Sequence, residues 1–438
     1  MFEPVFGSFS PLHQVACGSP GKLGMSTKPI PLNAKQIRLL AVLALVNFVN
    51  FAARQVIAPL IPLLRDHFHA TDAQLGALQM WLLVVLAVFS IPFGFFADRF
   101  NRVTIIVIGV ACWSVATVVS GLASTFIFLL FARAAVGLGE AAYAPAAQSM
   151  ISGAFPQEDR ARAQAIFAAG MLLGGVGGQA LGGVVGQHYG WQYALFLVGL
   201  LGILPGIAVF SLQEPARGPR SDVVPFWRLL SVPAFVAMIA AGTCITFASV
   251  SLLFWGVDFA VSYKEFSQSQ ASVDLSLIAL IASVLGVLVG GYVADCLQKR
   301  FSYGRLLAIG GAFLIAAPFL IVAIQSDDQW MVLVGMCIAG FFMSWYHGPV
   351  TAVIHDMMPR RAHATSIGVY MFVTQLLGGW GPHLLGQISD FHDLQFSLQI
   401  AVGVMVFGAL LMFLVIYFIR RDGIRHPILE AFHAEPGD

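Results

Sequence analysis

Apart from those at helix ends, three charged side chains stand inside long apolar runs of this 438-residue chain: Arg54, Arg133 and Glu140. A charge at bilayer depth costs about 2.5–3.5 kcal/mol on insertion scales, so each must face a partner, a cavity or a bound ion. Arg133 and Glu140 are two helical turns apart and share one helix face, separated by about 10 Å along the axis. Asn47, Asn50 and Arg54 share a face of an earlier run by the same spacing rule. Two guanidinium groups at similar depth, with a carboxylate beyond them, could bind an organic anion and exchange a proton. Arg54, Arg133, Glu140, Asn50 and Tyr143 are therefore candidate substrate ligands, and Glu140 is the candidate proton carrier. A structural ion pair stapling two helices is the plainer reading. Function is preferred because a purely structural pair can usually be replaced by apolar packing.

The elements that must position these groups follow from composition. Hydrophobic residues make up 58% of the chain and charged residues 10%, against roughly 25% charged in ordinary globular proteins. Most of the surface must then face lipid. The net charge of +1 gives no argument for a nucleic acid partner. No P-loop, H-E-x-x-H or G-x-S-x-G pattern occurs, so nothing points to an ATPase or hydrolase, and no metal or cofactor is expected. The five cysteines are scattered without C-x-x-C or zinc spacing and read as packing residues.

A membrane helix needs about 20 mostly apolar residues. Twelve segments qualify, at 37–60, 74–97, 104–122, 126–151, 162–187, 191–211, 232–258, 272–295, 304–324, 330–354, 363–388 and 396–419. The expected fold is an all-α membrane protein of twelve spans in two pseudo-symmetric six-helix bundles. Its parts are a disordered cytoplasmic tail at 1–34, bundles at 35–211 and 232–420, a linker at 212–231 and a tail at 421–438. Nineteen of the 23 Lys and Arg fall on the side shared by both termini, which the charge bias makes cytoplasmic. Only Arg65 and Lys264 fall on the other side. A multi-pass protein of the plasma (inner) membrane, acting as a monomer, is expected.

The two halves repeat each other. Gly94-Phe-Phe-Ala-Asp98, followed by Arg99 and Arg102, returns as Gly291-Tyr-Val-Ala-Asp295, with Lys299 four residues on. A charged hairpin used twice suits a gate on the cytoplasmic side, formed by Asp98, Arg99, Arg102 and Asp295. The fifth helix carries Gly170, Gly174, Gly178, Gly182 and Gly186, a ladder that lets another helix approach closely. Gly378, Gly379, Gly381 and Gly386 of the eleventh look like its counterpart. The polar candidates for a cavity in the second half include Trp255, Asp258, Tyr346, His347, Thr374 and His383. Tyr346 and His347 are taken as substrate contacts.

Asp98-Arg99 with its flanks resembles the signature loop of the major facilitator superfamily. More narrowly, Arg54-Gln55 and Arg133-Ala-Ala-Val-Gly137-Leu-Gly139-Glu140-Ala-Ala-Tyr143 resemble the Spinster branch, including its bacterial members. Gly379-Trp-Gly-Pro382 with Gly386-Gln-Ile-Ser-Asp390 also fits, and the likeness spans roughly residues 37–420. The resemblance implies a proton-linked or facilitative exporter of lysolipids or sphingoid lipids. It places Arg54, Arg133 and Glu140 at positions the family uses for substrate and proton handling. One departure matters: the family has Asp just before the first-helix Arg, whereas this chain reads Asn50-Phe51-Ala52-Ala53-Arg54. Ala53 cannot titrate, so either coupling rests on Glu140 alone, or the chain is a facilitator or has been altered.

The expected function is alternating-access transport of an amphipathic anion of lysophospholipid or sphingoid type, with proton linkage. The rival readings are a carrier of hydrophilic organic anions such as sugar acids and a non-transporting membrane receptor or scaffold.

Overall fold

The computed structural model of the chain describes residues 33–215, 225–359 and 362–422. Nearly all of the two expected tails, and Arg217, Arg220, Arg360, Arg361 and Arg425, lie outside the described residues; Asn33 and Ala34, expected in the first tail, instead cap and open α1. Without water in the bilayer core, every backbone group must bond within its own segment, so helices carry the whole fold. The first span joins α1 (Ala34–Gln55) to α2 (Ile61–Phe68) through a 3-10 turn at Ala58–Leu60. Then come α3 (Asp72–Arg99), α4 (Arg102–Ser120), α5 (Phe126–Ala154) and α6 (Gln157–Tyr189). The sixth span is α7 (Trp191–Leu201) with α8 (Ile203–Val209).

After the short α9 (Phe226–Leu229), the second half contains α10 (Pro233–Tyr263), α11 (Gln268–Arg300) and α12 (Gly304–Gln325). It continues with α13 (Gln329–Met343) and α14 (His347–Met357), then α15 (His363–Gly378) and α16 (Gly381–Phe391), and ends with α17 (Leu394–Asp422). Among the described residues, eleven spans are each long and apolar enough to cross a membrane. The remaining span, the eleventh in chain order at 363–391, is broken at Gly379-Trp380 into α15 and α16. The twelve-span, all-helical fold is the one expected.

The differences from expectation sit at prolines. The first span runs past residue 60 to Phe68, because Pro59 and Pro62 fall in first turns where a missing N–H costs nothing. In the tenth span a 3-10 turn at Ser344–Tyr346 precedes Pro349, which has no N–H to offer the carbonyl four residues back. Helix starts are closed by polar side chains at Asn33, Thr71, Thr125 and Ser267. Gly190, at φ 100°, adopts a left-handed backbone that stops α6 and starts α7 at once. Large apolar side chains such as Phe131, Trp330 and Phe391 point outward, where lipid would meet them.

An even number of spans returns the chain to the face it left, here called the terminal face. The halves meet at the opposite, distal face. A Cβ on Gly76 of α3 would lie 2.2 Å from the Pro382 carbonyl oxygen of α16, so backbones touch there. Buried residues of α3 run from Leu75 to Leu83, then thin out toward the terminal face. Gly94 of α3 and Gly291, near the terminal face, would meet nothing within 4 Å, so the close packing seen at Gly76 does not extend to these positions.

Candidate functional site

The site is built on α1, which is gripped through its backbone from two sides. From α6, the glycine ladder lies on successive carbonyls of α1. Cβ atoms on Gly170, Gly174, Gly178 and Gly182 would lie 2.4, 2.0, 2.3 and 2.7 Å from the carbonyl oxygens of Ala44, Phe48, Ala52 and Val56. Both helices advance by four residues, so each rung finds the next carbonyl. From α5, Tyr143 donates its hydroxyl to the Leu43 carbonyl at 2.9 Å. Arg133 donates Nη1 to the Ala53 carbonyl at 3.1 Å and Nη2 to the Arg54 carbonyl at 3.2 Å. Asn47 in turn donates to the Phe167 carbonyl of α6 at 2.8 Å.

This grip holds Arg54 against Glu140. Arg54 Nε donates to Glu140 Oε2 at 2.9 Å, and Nη2 donates to the same oxygen. Glu140 Oε1 is buried with no hydrogen-bond partner among the described residues. The Arg54 guanidinium also lies 4.6 Å over the Phe51 ring. The two ends of the pair differ in access: the Arg54 side chain is 15% exposed and that of Glu140 1%. Gly137 and Gly139 make the seat for Glu140, since Cβ atoms there would lie 2.3 Å from the Leu82 carbonyl and 2.6 Å from the Trp113 nitrogen. They let α3 and α4 close on α5 and shut water away from the carboxylate.

The expected site residues therefore separate into two kinds. Arg54 keeps part of its side chain accessible, and so do Tyr346 and His347, at the break in the tenth span. His347 is exposed, and Tyr346 is half-buried with its hydroxyl bonded to that of Tyr370. Arg133 and Tyr143 are fully buried behind α1, while Asn50 is buried with no partner for its Nδ2 among the described residues. The geometry makes Arg133 a clamp on the α1 backbone. Arg133→Lys is expected to lower stability by about 1–3 kcal/mol, because an ammonium cannot span two carbonyls as the planar fork does. Thermal unfolding in detergent measures this.

Three cavity candidates of the second half are used elsewhere. Trp255 donates to the Pro382 carbonyl at 3.0 Å, and His383 Nδ1 donates to the Ala73 carbonyl of the first half at 2.7 Å. Asp258, fully buried, accepts Arg65 Nη1 at 2.9 Å and Nη2 at 2.6 Å. Arg65 also donates to Asp72 at 2.7 Å, so one guanidinium ties α2, α3 and α10 together at the distal face. Sequence alone missed this role: Arg65 reads as a loop base, and its partner Asp258 is almost two hundred residues away.

On the terminal face, Arg305 and Arg102 meet carboxylates of their own half. Arg305 donates to Asp295 at 3.0 Å and to Asp356 at 2.6 Å, and Arg102 lies 3.9 Å from Glu214. Asp98 and Arg99 are exposed at the end of α3.

The sequence model of the Major Facilitator Superfamily matches residues 43–382 and 266–431. The chain belongs to this superfamily. Within it, the likeness runs to Spinster proteins. Protein spinster homolog 1 of Bos taurus is 27% identical over 431 residues, covering 88% of this chain and 81% of the relative. The human protein of the same name is 26% identical over 431 residues, with coverage of 88% and 81%. A bacterial homologue of the human lysosomal transporter Spinster, solved in an inward-facing and occupied conformation, superposes with a TM-score of 0.81 at 24% identity. That match covers 89% of this chain and 99% of the other. As a major facilitator superfamily protein the chain is a transporter, working by alternating access, and not an enzyme.

Proposed function

We propose that this transporter moves an amphipathic anion of lysophospholipid or sphingoid-lipid type and couples its movement to protons through Glu140. The observation that carries the reading is the unequal Arg54–Glu140 pair. Arg54 keeps an accessible edge while its counter-ion is buried, so an arriving anionic headgroup competes with Glu140 for the same guanidinium. Losing Arg54 would leave Glu140 as an unpaired buried charge, a costly state. Taking a proton on Oε1 or Oε2 removes that charge. Anion binding at Arg54 and protonation of Glu140 then occur together, with Ala53 contributing no second carboxylate. Arg133 and Tyr143 hold the α1 backbone so that Arg54 stays in register with its partner.

The charge bias puts the terminal face in the cytoplasm, so the distal face, where the halves meet, is the outer one and is shut. Asp98, Arg99, Arg102 and Asp295 would close the cytoplasmic side when the distal side opens. An amphipathic cargo fits Phe51 beside Arg54 and the second half's offer of Tyr346 and His347.

A thermal-shift screen against lysophospholipids, sphingoid-base phosphates and sugar acids tests the cargo class. Stabilisation by the single-chain lipids, lost in Arg54→Ala, is expected. Stabilisation by sugar acids alone would move the reading to a hydrophilic-anion carrier. Tight binding with no uptake or counterflow would move it to a receptor.

A further inference from the structure

The distal closure is made twice from the same parts. Near its end α6 carries Gly183 and Gln187, and α16 carries Gly386 and Asp390, each a glycine followed four residues later by a hydrogen-bond acceptor. Gln187 Oε1 accepts the Ser269 backbone N–H, in the first turn of α11, at 2.6 Å. Asp390 accepts the N–H groups of Asp72 and Ala73, in the first turn of α3, at 2.8 and 3.0 Å. The glycine lets each acceptor arrive. A Cβ on Gly183 would lie 1.9 Å from Ser272 Oγ, and one on Gly386 would lie 2.3 Å from the Asp72 carbonyl oxygen.

Both receiving helices are only partly capped from within their own half. Thr71 accepts from Gln74 in α3, and Ser267 accepts from Gln270 in α11. The first turn of a helix leaves four N–H groups without intrahelical partners. In each case, donors left over are satisfied by the other half of the molecule. Separating the halves at the distal face must break both foreign caps.

We propose that Gln187 and Asp390 are the paired positioning residues of the distal gate, and that their unequal chemistry makes the α6–α11 seam the weaker of its two latches. This rests on the alternating-access reading. An ionised acceptor at a helix N-terminus gains from the helix dipole, and charge-assisted hydrogen bonds are roughly twice as strong as neutral ones. The α3–α16 seam has this charged cap, with the Arg65 cluster beside it. The α6–α11 seam is neutral, its other side-chain bond running from Ser276 to Gln179 at 3.1 Å. The amide at 187 is thus the weaker latch.

The test uses near-isosteric exchanges, Gln187→Glu and Asp390→Asn, in full-length protein with native cysteines replaced. Spin labels at Asp66→Cys and Gln325→Cys, both exposed on the distal face, report its opening by pulsed electron resonance in proteoliposomes. Gln187→Glu is expected to lower the open-to-closed ratio about tenfold and Asp390→Asn to raise it about tenfold, as replacing a neutral by a charged bond implies. The double exchange, which swaps the two chemistries, should return the ratio to near that of the unmodified chain. A merely structural role would not produce that rescue. If Arg65→Ala changes the ratio while both cap exchanges leave it unmoved, the gate stands and the cap inference is overturned. If no protein shows a second distance, the alternating-access reading falls with it.

Discussion

Replacing Glu140 by Gln is expected to abolish concentrative transport while leaving exchange of substrate intact. Gln keeps the shape of the side chain and can still accept from Arg54 through its amide oxygen, but it carries no ionisable proton. In proteoliposomes with an imposed gradient of about two pH units, a one-proton coupled transporter can sustain about a hundredfold concentration ratio, since each 1.4 kcal/mol is tenfold. The Glu140→Gln protein should sustain a ratio of about one under the same gradient. Its counterflow, which needs only binding and alternation, should persist. An unchanged gradient-driven ratio would remove Glu140 from coupling. The contrast with Glu140→Ala is informative, because removing the side chain also strands Arg54 without a partner at bilayer depth and should cost stability as well.

The second large effect concerns α1, whose position sets everything else in the site. Gly174→Ala should destabilise the protein by about 1–3 kcal/mol through overpacking, with transport lost in proportion. The added methyl would lie 2.0 Å from the Phe48 carbonyl oxygen, a backbone atom that cannot rotate away. Moving α6 outward to relieve it would lift the neighbouring rungs off Ala44 and Ala52 and shift Arg54 relative to Glu140. The same exchange at Gly403 of α17, where nothing lies within 4 Å, should be neutral or stabilising by up to about 1 kcal/mol, because Ala loses less backbone entropy in a helix. Thermal unfolding of the two variants side by side separates the effect of the ladder from that of glycine itself. Equal stability of the two would mean the α1–α6 contact is not tight.

Membrane depth makes some of this architecture plain in the sequence. Arg54, Arg133 and Glu140 stand out because so few charges occur in the spans, and the structure brings all three to the α1–α5 contact. The ladder from Gly170 to Gly182 is equally legible, since only a close helix would require a small residue every fourth position. What the sequence leaves open is the assignment of partners. Arg54 and Arg133 look alike as buried cations, yet one bonds the carboxylate and the other bonds two carbonyls of α1. Only the rotation of α5 against α1, fixed by Gly137 and Gly139 on its other faces, decides between them. The distal cluster was hidden for a different reason. Arg65 and Asp72 resemble solvated charges flanking a turn, and their significance depends on Asp258 and Asp390, which folding delivers from the other half. Asp258 reads as a cavity residue because an acid closing an apolar run has no partner visible in the sequence.

The central claim is that an anionic headgroup and a proton arrive together at the Arg54–Glu140 pair. It is tested most directly by counting protons when a lysophospholipid binds the detergent-solubilised protein, using calorimetry in two buffers of different ionisation enthalpy near neutral pH. Uptake of about one proton per ligand is predicted for the unmodified chain, with affinity rising by up to about tenfold for each unit the pH is lowered. In Glu140→Gln, binding should persist with no uptake. Binding without proton uptake in the unmodified chain, or equal uptake in both proteins, would contradict the account.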